Sequence, residues 1–321
     1  MGLVRSRSGT EPAARRAAIA AVGHAAPSRF ISVATALGEA GLPGRASVIY
    51  ERFFGQRSIA QIEPSDILAQ MESAAREAIR DIEPEKISHI IYAHSINFPL
   101  PTDAALIYKL KQRLGAAGAK VVHLSQLNCT TGIYAIEIAR QIVERRPEAE
   151  VLVMCGELAR PSGTKVITNV VVMGEAIASC LVKAEGGLVI GASSFATEGR
   201  FHESEDMAPE LHKKYENSYV DNMAATINRS LDAGGITAGD VGAVFPHNVN
   251  RLSWNGVLEL SGIERDRLRA ETLDEYGHCF TSDPLINLHR SISDGRGVPD
   301  RSLLCASGVG ATFGSMVLER A

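Results

Sequence analysis

Several short segments, far apart in the chain, carry residue types that could perform covalent chemistry together. Cys129 lies in "VVHLSQLNCTTGIYAIEIARQI", where an apolar run breaks and a strongly apolar helical pattern begins. A cysteine at a helix N-terminus is a candidate nucleophile, because exposed N–H groups and the helix dipole favour the thiolate. The alternative is a small core residue, since free cysteines are among the most commonly buried residue types.

A nucleophilic cysteine also needs a group that handles protons and donors for the oxyanion that develops on an attacked carbonyl. His247 ends a buried strand pattern in "VFPHNVN", and His278 lies in the loop "YGHCFTSD". In "CASGVGATFG", a tight turn at Gly308 and Gly310 would present the N–H of Val309 as an oxyanion donor. For each histidine the alternative is a hydrogen-bonded structural residue.

Composition and motif spacing exclude other classes of function. The 321 residues are 45% hydrophobic and 22% charged with a net charge of −4, and no basic field predicts a nucleic-acid partner. Five dispersed cysteines without a CxxC pair disfavour disulfides and a zinc site and suit a reducing cytoplasm. The GxGxxxG spacing of the glycine run is not that of a dinucleotide site. No stretch approaches the roughly 20 apolar residues of a membrane span.

Two series of alternating strand and helix patterns would position these segments. Cys129 and Cys155 are 26 positions apart, as are Cys279 and Cys305, so the spacing from each loop cysteine to the next cysteine is the same in both series. This repeat predicts a duplicated α/β fold in which strand ends converge and bring Cys129, His247 and His278 together. The main patterns are strands at 87–95, 149–157, 241–248 and 302–308 and helices at 64–82, 103–118, 130–146, 221–235 and 250–263.

Taken together, these segments resemble the β-ketoacyl-acyl-carrier-protein synthase III family of the thiolase superfamily over nearly the whole chain. The family's cysteine loop is similar to "LNCTTGIYAIEIA", its PHxAN box to "PHNVNR", its glycine box to "SGVGATFGS" and its FGDGA turn to "MGEAIAS". The resemblance implies that Cys129 is the acyl-accepting nucleophile, that His247 is a catalytic histidine and that Asn250 supports it. It also implies that the glycine box forms the oxyanion hole.

The resemblance further implies a thiolase fold, with duplicated α/β halves in a five-layered αβαβα arrangement. Residues 18–190 would form the half with the nucleophile, and residues 191–321 the half with the histidines and the glycine loop. Residues 1–17 are expected to be a flexible leader. We expect a cytoplasmic homodimer with the strand at Val151–Cys155 near the interface, no metal, no permanently bound cofactor, and acyl-CoA or acyl-carrier protein as the substrate.

One box departs from the family pattern. The third catalytic residue of the family is an asparagine in a GNTS box, whereas His278 occupies that position here, with Asp283 nearby. A Cys–His–His set is similar to that of the elongating ketoacyl synthases, where both histidines donate to a thioester oxygen during decarboxylation. The family's tryptophan and arginine contacts for coenzyme A are not visible early in the chain, so the donor stays open.

The expected function is therefore that of an acyltransferase that forms acyl-Cys129 from an acyl thioester. Decarboxylative condensation with a malonyl-type thioester, in specialised biosynthesis, is slightly favoured because His278 can still donate to an enolate oxygen. Transfer to a hydroxyl or amine acceptor is the alternative. An inactive thiolase-fold partner, or a subunit that binds a carrier protein, is the alternative of another class.

Overall fold

A computed structural model describes residues 16–95, 101–159, 165–202 and 207–321. The predicted leader therefore lies almost entirely outside the described residues. The first strand among the described residues begins at Ala18. Among the described helices, none combines the length and the apolar character needed to cross a membrane.

The described strands and helices follow the predicted alternation. The strands are β1 (Ala18–Ala25), β2 (Arg29–Ser32), β3 (Ser58–Gln61), β4 (Ile87–Ala93), β5 (Lys120–Leu124), β6 (Glu150–Cys155), β7 (Val166–Ile167), β8 (Val171–Val172), β9 (Ile177–Lys183), β10 (Leu188–Thr197), β11 (Ala243–Pro246), β12 (Arg301–Gly308) and β13 (Thr312–Arg320). The helices are α1 (Val33–Glu39), α2 (Ser47–Ile49), α3 (Ile67–Ala78), α4 (Pro101–Leu114), α5 (Thr131–Arg145), α6 (Pro209–Gly234), α7 (Arg251–Ser261), α8 (Leu273–Tyr276) and α9 (Asp283–Ser293).

A mixed sheet of nine strands, in the order β11-β12-β13-β10-β1-β9-β6-β4-β5, contains both halves of the molecule. In the first half β4 runs parallel to β5 and β6, and β9 lies antiparallel between β6 and β1. In the second half β11 is parallel to β12, and β13 lies antiparallel between β12 and β10. Only Ala18 and Ile19 of β1 pair with β10 where the halves join. The same strand directions recur in both halves, which confirms the duplicated α/β fold.

The helices complete five layers. Helices α3 and α4 cover the outer face of the first half, and α6 and α7 cover that of the second. Helices α5 and α9 contact strands of both halves and lie between them. This explains why α5 is apolar around most of its circumference and why β6 and β9 are continuous apolar runs, since such elements are covered on both sides. The predicted αβαβα arrangement is confirmed.

Two bounds differ from the sequence patterns. Strand β10 pairs with β13 of the second half, so we propose that the halves divide in the turn before Leu188 rather than at residue 190. Helix α6 begins at Pro209, twelve residues before the predicted start at 221. Its first turns contain "PELHKKYENSYV", whose polar residues hide the helical period, although Pro209 stands at the favoured first position.

Gly132 allows the central helix α5 to approach the segment between α8 and α9. A Cβ at this position would lie 2.4 Å from the carbonyl oxygen of Thr281. Real Cβ atoms do not approach a carbonyl oxygen so closely, and a backbone oxygen cannot swing away as a side chain can. Glycine at position 132 therefore allows α5 and the segment at Thr281 to pack closely.

We predict opposite effects for alanine at two helical glycines. Gly132→Ala should lower the free energy of unfolding by about 1–3 kcal/mol through overpacking. Gly38→Ala in α1, where a Cβ would meet no atom within 4 Å, should raise it by roughly 0.5–1 kcal/mol. Urea denaturation with unchanged m-values measures both. Equal stability of the two variants would contradict the close packing of α5.

Candidate active site

The sulfur of Cys129 and the imidazole of His278 are in contact in the middle of the molecule. Cys129 lies in the 3₁₀ turn Asn128–Thr130 that leads into α5. His278 follows α8 and precedes α9, 149 positions along the chain. The Sγ atom of Cys129 lies 3.1 Å from Nε2 of His278, and both side chains are buried. The structure thus joins two residues that the sequence predicts to meet.

Asp283 completes a line of three side chains. Nδ1 of His278 donates to Oδ2 of Asp283, the first residue of α9, whose side chain is fully buried. The backbone N–H of Asn248 donates to Oδ2 and that of Cys279 to Oδ1, each at 2.7 Å. With the carboxylate fixed in this way, Nε2 of the ring faces the sulfur. The sequence places Asp283 only near the site, because its role depends on the loop between them.

The environment keeps a proton on His278. Burial acts to lower the pKa of its imidazole, but the neighbouring Cys129 and Asp283 outweigh burial and raise it to about 10. A protonated imidazole beside a sulfur is the partner that a nucleophilic thiolate requires. The arrangement has the order of a nucleophile, a base and an orienting carboxylate.

His247 occupies the same site but a different environment. Its ring centroid lies 5.7 Å from that of His278. Burial, followed by the charge on His278, lowers the pKa of His247 well below its usual value, so this ring is neutral. Its Nε2 lies 3.1 Å from the hydroxyl of Tyr219 on α6, and its backbone carbonyl accepts from Nε1 of Trp254. Tyr219 has no place in the sequence motifs.

The glycine turn after β12 packs against the cysteine loop. A Cβ on Gly308 would lie 2.6 Å from the carbonyl oxygen of Leu127, so only glycine permits this contact. Asn128 donates through Nδ2 to the carbonyl oxygen of Val309, and Gly310 turns the chain at a φ of +84°. Val309 lines the same cavity as Cys129. Its use as an oxyanion donor stays a prediction.

Asn250 lines the cavity and also stabilises the start of helix α7. Its Oδ1 accepts the N–H of Ser253 at 2.8 Å and caps α7, and its Nδ2 donates to the carbonyl oxygen of Val170 at 3.4 Å. Asn250 thus ties the start of α7 to the strand pair that includes β8. A capping asparagine commonly contributes about 1 kcal/mol to helix stability.

A cavity of about 680 Å³ gives access to these groups. Most of its wall is apolar, and no lysine or arginine is present among the described residues that line it. The wall residues other than the site groups already named are Phe54, Val166, Ile167, Thr168, Asn169, Val170, Val171, Met207, His212, Tyr215, Glu216, Val220, Val249, Leu252, Ser253 and Ser307. A mostly apolar cavity with a few convergent polar groups suits an acyl chain next to a reacting carbonyl.

The other four cysteines are structural. Burial raises the pKa of Cys155 and Cys305 to about 12, and it raises those of Cys180 and Cys279 well above their usual value. Their thiols therefore stay protonated and unreactive. Within the described ranges, no three histidine, cysteine or acidic side chains are grouped so that they could hold a metal ion.

Comparison with known proteins finds related sequences over most of the chain. Residues 231–320 match the family described as 3-oxoacyl-[acyl-carrier-protein] synthase III C terminal. Residues 56–176 match the N-terminal domain of chalcone and stilbene synthases. A β-ketoacyl-[acyl-carrier-protein] synthase III of Nitratidesulfovibrio vulgaris is 29% identical over 273 residues, which cover 77% of this chain and 81% of that protein.

Solved structures share the fold over almost the full length. The priming β-ketosynthase of a polyketide biosynthetic pathway has a TM-score of 0.78 at 20% identity, covering 98% of both chains. ChlB3, an acyltransferase, has a TM-score of 0.83 at 18% identity, covering 95% of this chain and 98% of its own. In sequence the chain is thus similar to β-ketoacyl-acyl-carrier-protein synthase III proteins of the thiolase superfamily, and these homologues are acyl-transferring condensing enzymes.

We predict that Asp283→Asn slows turnover by about 10² to 10⁴-fold, because an amide can neither stabilise the imidazolium nor hold the required tautomer. The amide keeps the shape of the side chain, so circular dichroism should show the same fold. Asp274→Asn, at a half-buried carboxylate that pairs with the exposed Arg57, is the matched control and should leave the rate within about twofold of wild type. Wild-type turnover in Asp283→Asn would make this carboxylate structural.

Proposed function

We propose that this protein is an acyltransferase that takes an acyl group from a thioester onto Cys129 and passes it to a hydroxyl or amine acceptor. The observation that supports this best is the buried line of Cys129, His278 and Asp283, with 3.1 Å between sulfur and Nε2. A histidine oriented by a carboxylate is a base that can remove a proton from an acceptor. Catalytic roles for Cys129 and His278 are part of this proposal, and a catalytic role for His247 belongs to the condensation alternative below.

In the first half-reaction the sulfur of Cys129 attacks the thioester carbonyl. The carbonyl oxygen becomes an oxyanion, for which the N–H of Val309 is the proposed donor. When the tetrahedral intermediate collapses, the bond to the donor's sulfur breaks and His278 gives its proton to that leaving thiolate. The products are acyl-Cys129, a free donor thiol and a neutral His278.

In the second half-reaction neutral His278 accepts the proton of the acceptor's hydroxyl or amine as the acceptor attacks the acyl carbon. Collapse breaks the bond between carbon and the Cys129 sulfur, which leaves as the thiolate. The accepted proton stays on His278, so the starting pair is restored without any further reagent. An asparagine at position 278 could not accept this proton.

Decarboxylative condensation is the second candidate. The β-ketoacyl synthase names of the sequence relatives favour it, as does the presence of two histidines with ring centroids 5.7 Å apart. In that reaction the loss of CO₂ generates the carbon nucleophile, and the enolate oxygen needs hydrogen-bond donors rather than a base. The base-type arrangement of His278 with Asp283 supports heteroatom transfer more strongly.

We further propose that the acyl donor is a thioester of coenzyme A or of an acyl carrier protein, and that the protein acts in the cytoplasm as a homodimer in a specialised biosynthetic pathway. The interface predicted near Val151–Cys155 needs revision, because β6 is third from the edge of the sheet, between β4 and β9. The edge strand of the first half is β5, whose side chains are half-buried or exposed. Pairing of two β5 strands would satisfy that open edge.

Single-turnover decay of acyl-Cys129 tests the proposal. The enzyme is loaded with a short acyl-CoA and mixed with an alcohol, an amine or malonyl-CoA, and the adduct is followed by intact mass. We expect decay with the alcohol or the amine, and no adduct in Cys129→Ala. Decay with malonyl-CoA alone would select condensation, and a wild-type protein that forms no adduct from any donor would support the inactive-subunit alternative.

The pH dependence of the second half-reaction follows from the charges. Acylation removes the electrostatic influence of Cys129, the largest of those that raise the pKa of His278 to about 10. The pKa of His278 in the acyl-enzyme should therefore be lower. Because only the neutral ring can accept a proton, the transfer rate should fall as the pH drops through that value. His278→Asn should lose about 10² to 10⁴-fold in transfer rate, and a pH-independent wild-type rate would contradict a role as base.

A further inference from the structure

We propose that Tyr219 is a specificity-determining residue that engages Nε2 of His247 and thereby withholds this histidine from a malonyl substrate, which suppresses decarboxylation. The inference rests on the proposed transfer to hydroxyl or amine acceptors. It concerns a residue of α6 that belongs to none of the sequence motifs and that lines the cavity beside Cys129 and His278.

Several contacts fix the position of the Tyr219 hydroxyl. It lies 3.1 Å from Nε2 of His247 and hydrogen-bonds Ser307 at the end of β12. The tyrosine ring packs against Phe313 of β13, with 6.0 Å between ring centroids. Burial raises the pKa of Tyr219 well above its usual value, so the side chain stays a neutral phenol that can both donate and accept.

The tautomer of His247 follows from its two nitrogens. A neutral ring carries one N–H, and Nδ1 is buried without a hydrogen-bond partner among the described residues. Buried N–H groups without an acceptor are rare, and a bare lone pair is tolerated better. The proton therefore belongs on Nε2, where the oxygen of Tyr219 accepts it. As long as this bond exists, Nε2 of His247 has no hydrogen to offer a substrate oxygen.

This bond matters for one of the two candidate reactions. In malonyl thioester decarboxylation the bond between the carboxylate carbon and the methylene carbon breaks, and CO₂ leaves. The electron pair passes to the methylene carbon and onto the thioester oxygen, and a water proton later converts the enolate to an acetyl thioester. The developing oxygen charge needs donors, and with His247 engaged, His278 is the one histidine of the pair left to donate. Transfer to a hydroxyl needs a base, which His278 with Asp283 provides.

Tyr219→Phe gives the test. Phenylalanine keeps the ring contact with Phe313 and removes only the oxygen, so Nε2–H of His247 becomes available. We expect malonyl-CoA decarboxylation, followed as acetyl-CoA by mass spectrometry, to rise at least about tenfold, since one positioned donor is worth roughly 10² to 10³-fold in rate. The double variant Tyr219→Phe with His247→Ala should lose this gain.

Tyr215→Phe is the matched control. Tyr215 lies one turn earlier on α6, lines the same cavity and also hydrogen-bonds Ser307, but its described contacts do not include His247. It should show no gain in decarboxylation. A folded Tyr219→Phe protein without a gain, or a gain that survives removal of His247, would overturn the proposal.

A spectroscopic measurement keeps the inference testable if Tyr219→Phe does not fold. In wild-type protein with ¹⁵N-labelled histidine, the His247 ring should be neutral with its proton on Nε2, and a proton on Nδ1 would overturn the inference. The acceptor assay on the wild-type protein separates this result from the proposed function. Wild-type acyl-enzyme that does not react with alcohols or amines would refute the acceptor class, whereas the decarboxylation assay still reports on Tyr219.

Discussion

A buried carboxylate must have partners, and the site is arranged around this requirement at Asp283. An ionised carboxylate without partners inside a protein costs several kcal/mol. Here the backbone N–H groups of Asn248 and Cys279 and the ring of His278 all bond to it. These groups come from the end of β11 and from the segment between α8 and α9, so the carboxylate holds two parts of the second half together. The same bonds aim His278 at the sulfur of the first half.

Two histidines in one cavity acquire opposite properties from their neighbours. Cys129 and Asp283, on the two sides of His278, raise its pKa to about 10, whereas burial and the neighbouring His278 lower the pKa of His247 well below its usual value. Pairs of titratable groups whose pKa values are pushed apart commonly divide the acid–base work of a site. His278 is thus suited to moving protons, and His247 to holding one in a fixed hydrogen bond.

Much of the fold and part of the site could be predicted from the sequence. The continuous apolar strands, the central helix α5 and the strand-end position of His247 depend on local patterns, and the order of those patterns implies that Cys129 and His278 converge. The family resemblance correctly implied the five layers. Cys129 lies in a 3₁₀ turn just before α5 rather than in its first turn.

The features that could not be predicted from the sequence depend on conformations that no local pattern encodes. Asp283 reaches His278 only because the intervening loop takes an unusual path, with Phe280 at a φ of +53°. Tyr219 lies on a helix whose first turns are too polar to show a helical period. Its contact with His247 depends on tertiary packing and not on a local pattern. The open edge at β5 is likewise a matter of strand order, which periodicity along the chain does not reveal.

The protonation state of His278 tests the central claim most directly. Nitrogen-15 spectra of histidine-labelled protein, with His278→Asn used to assign the signal, report whether the ring carries one proton or two. We predict a doubly protonated His278 at neutral pH that titrates near the pKa of about 10, together with a lower pKa once Cys129 is alkylated. A ring that is neutral at pH 7 and insensitive to alkylation would contradict the account of a nucleophile, a base and an orienting carboxylate.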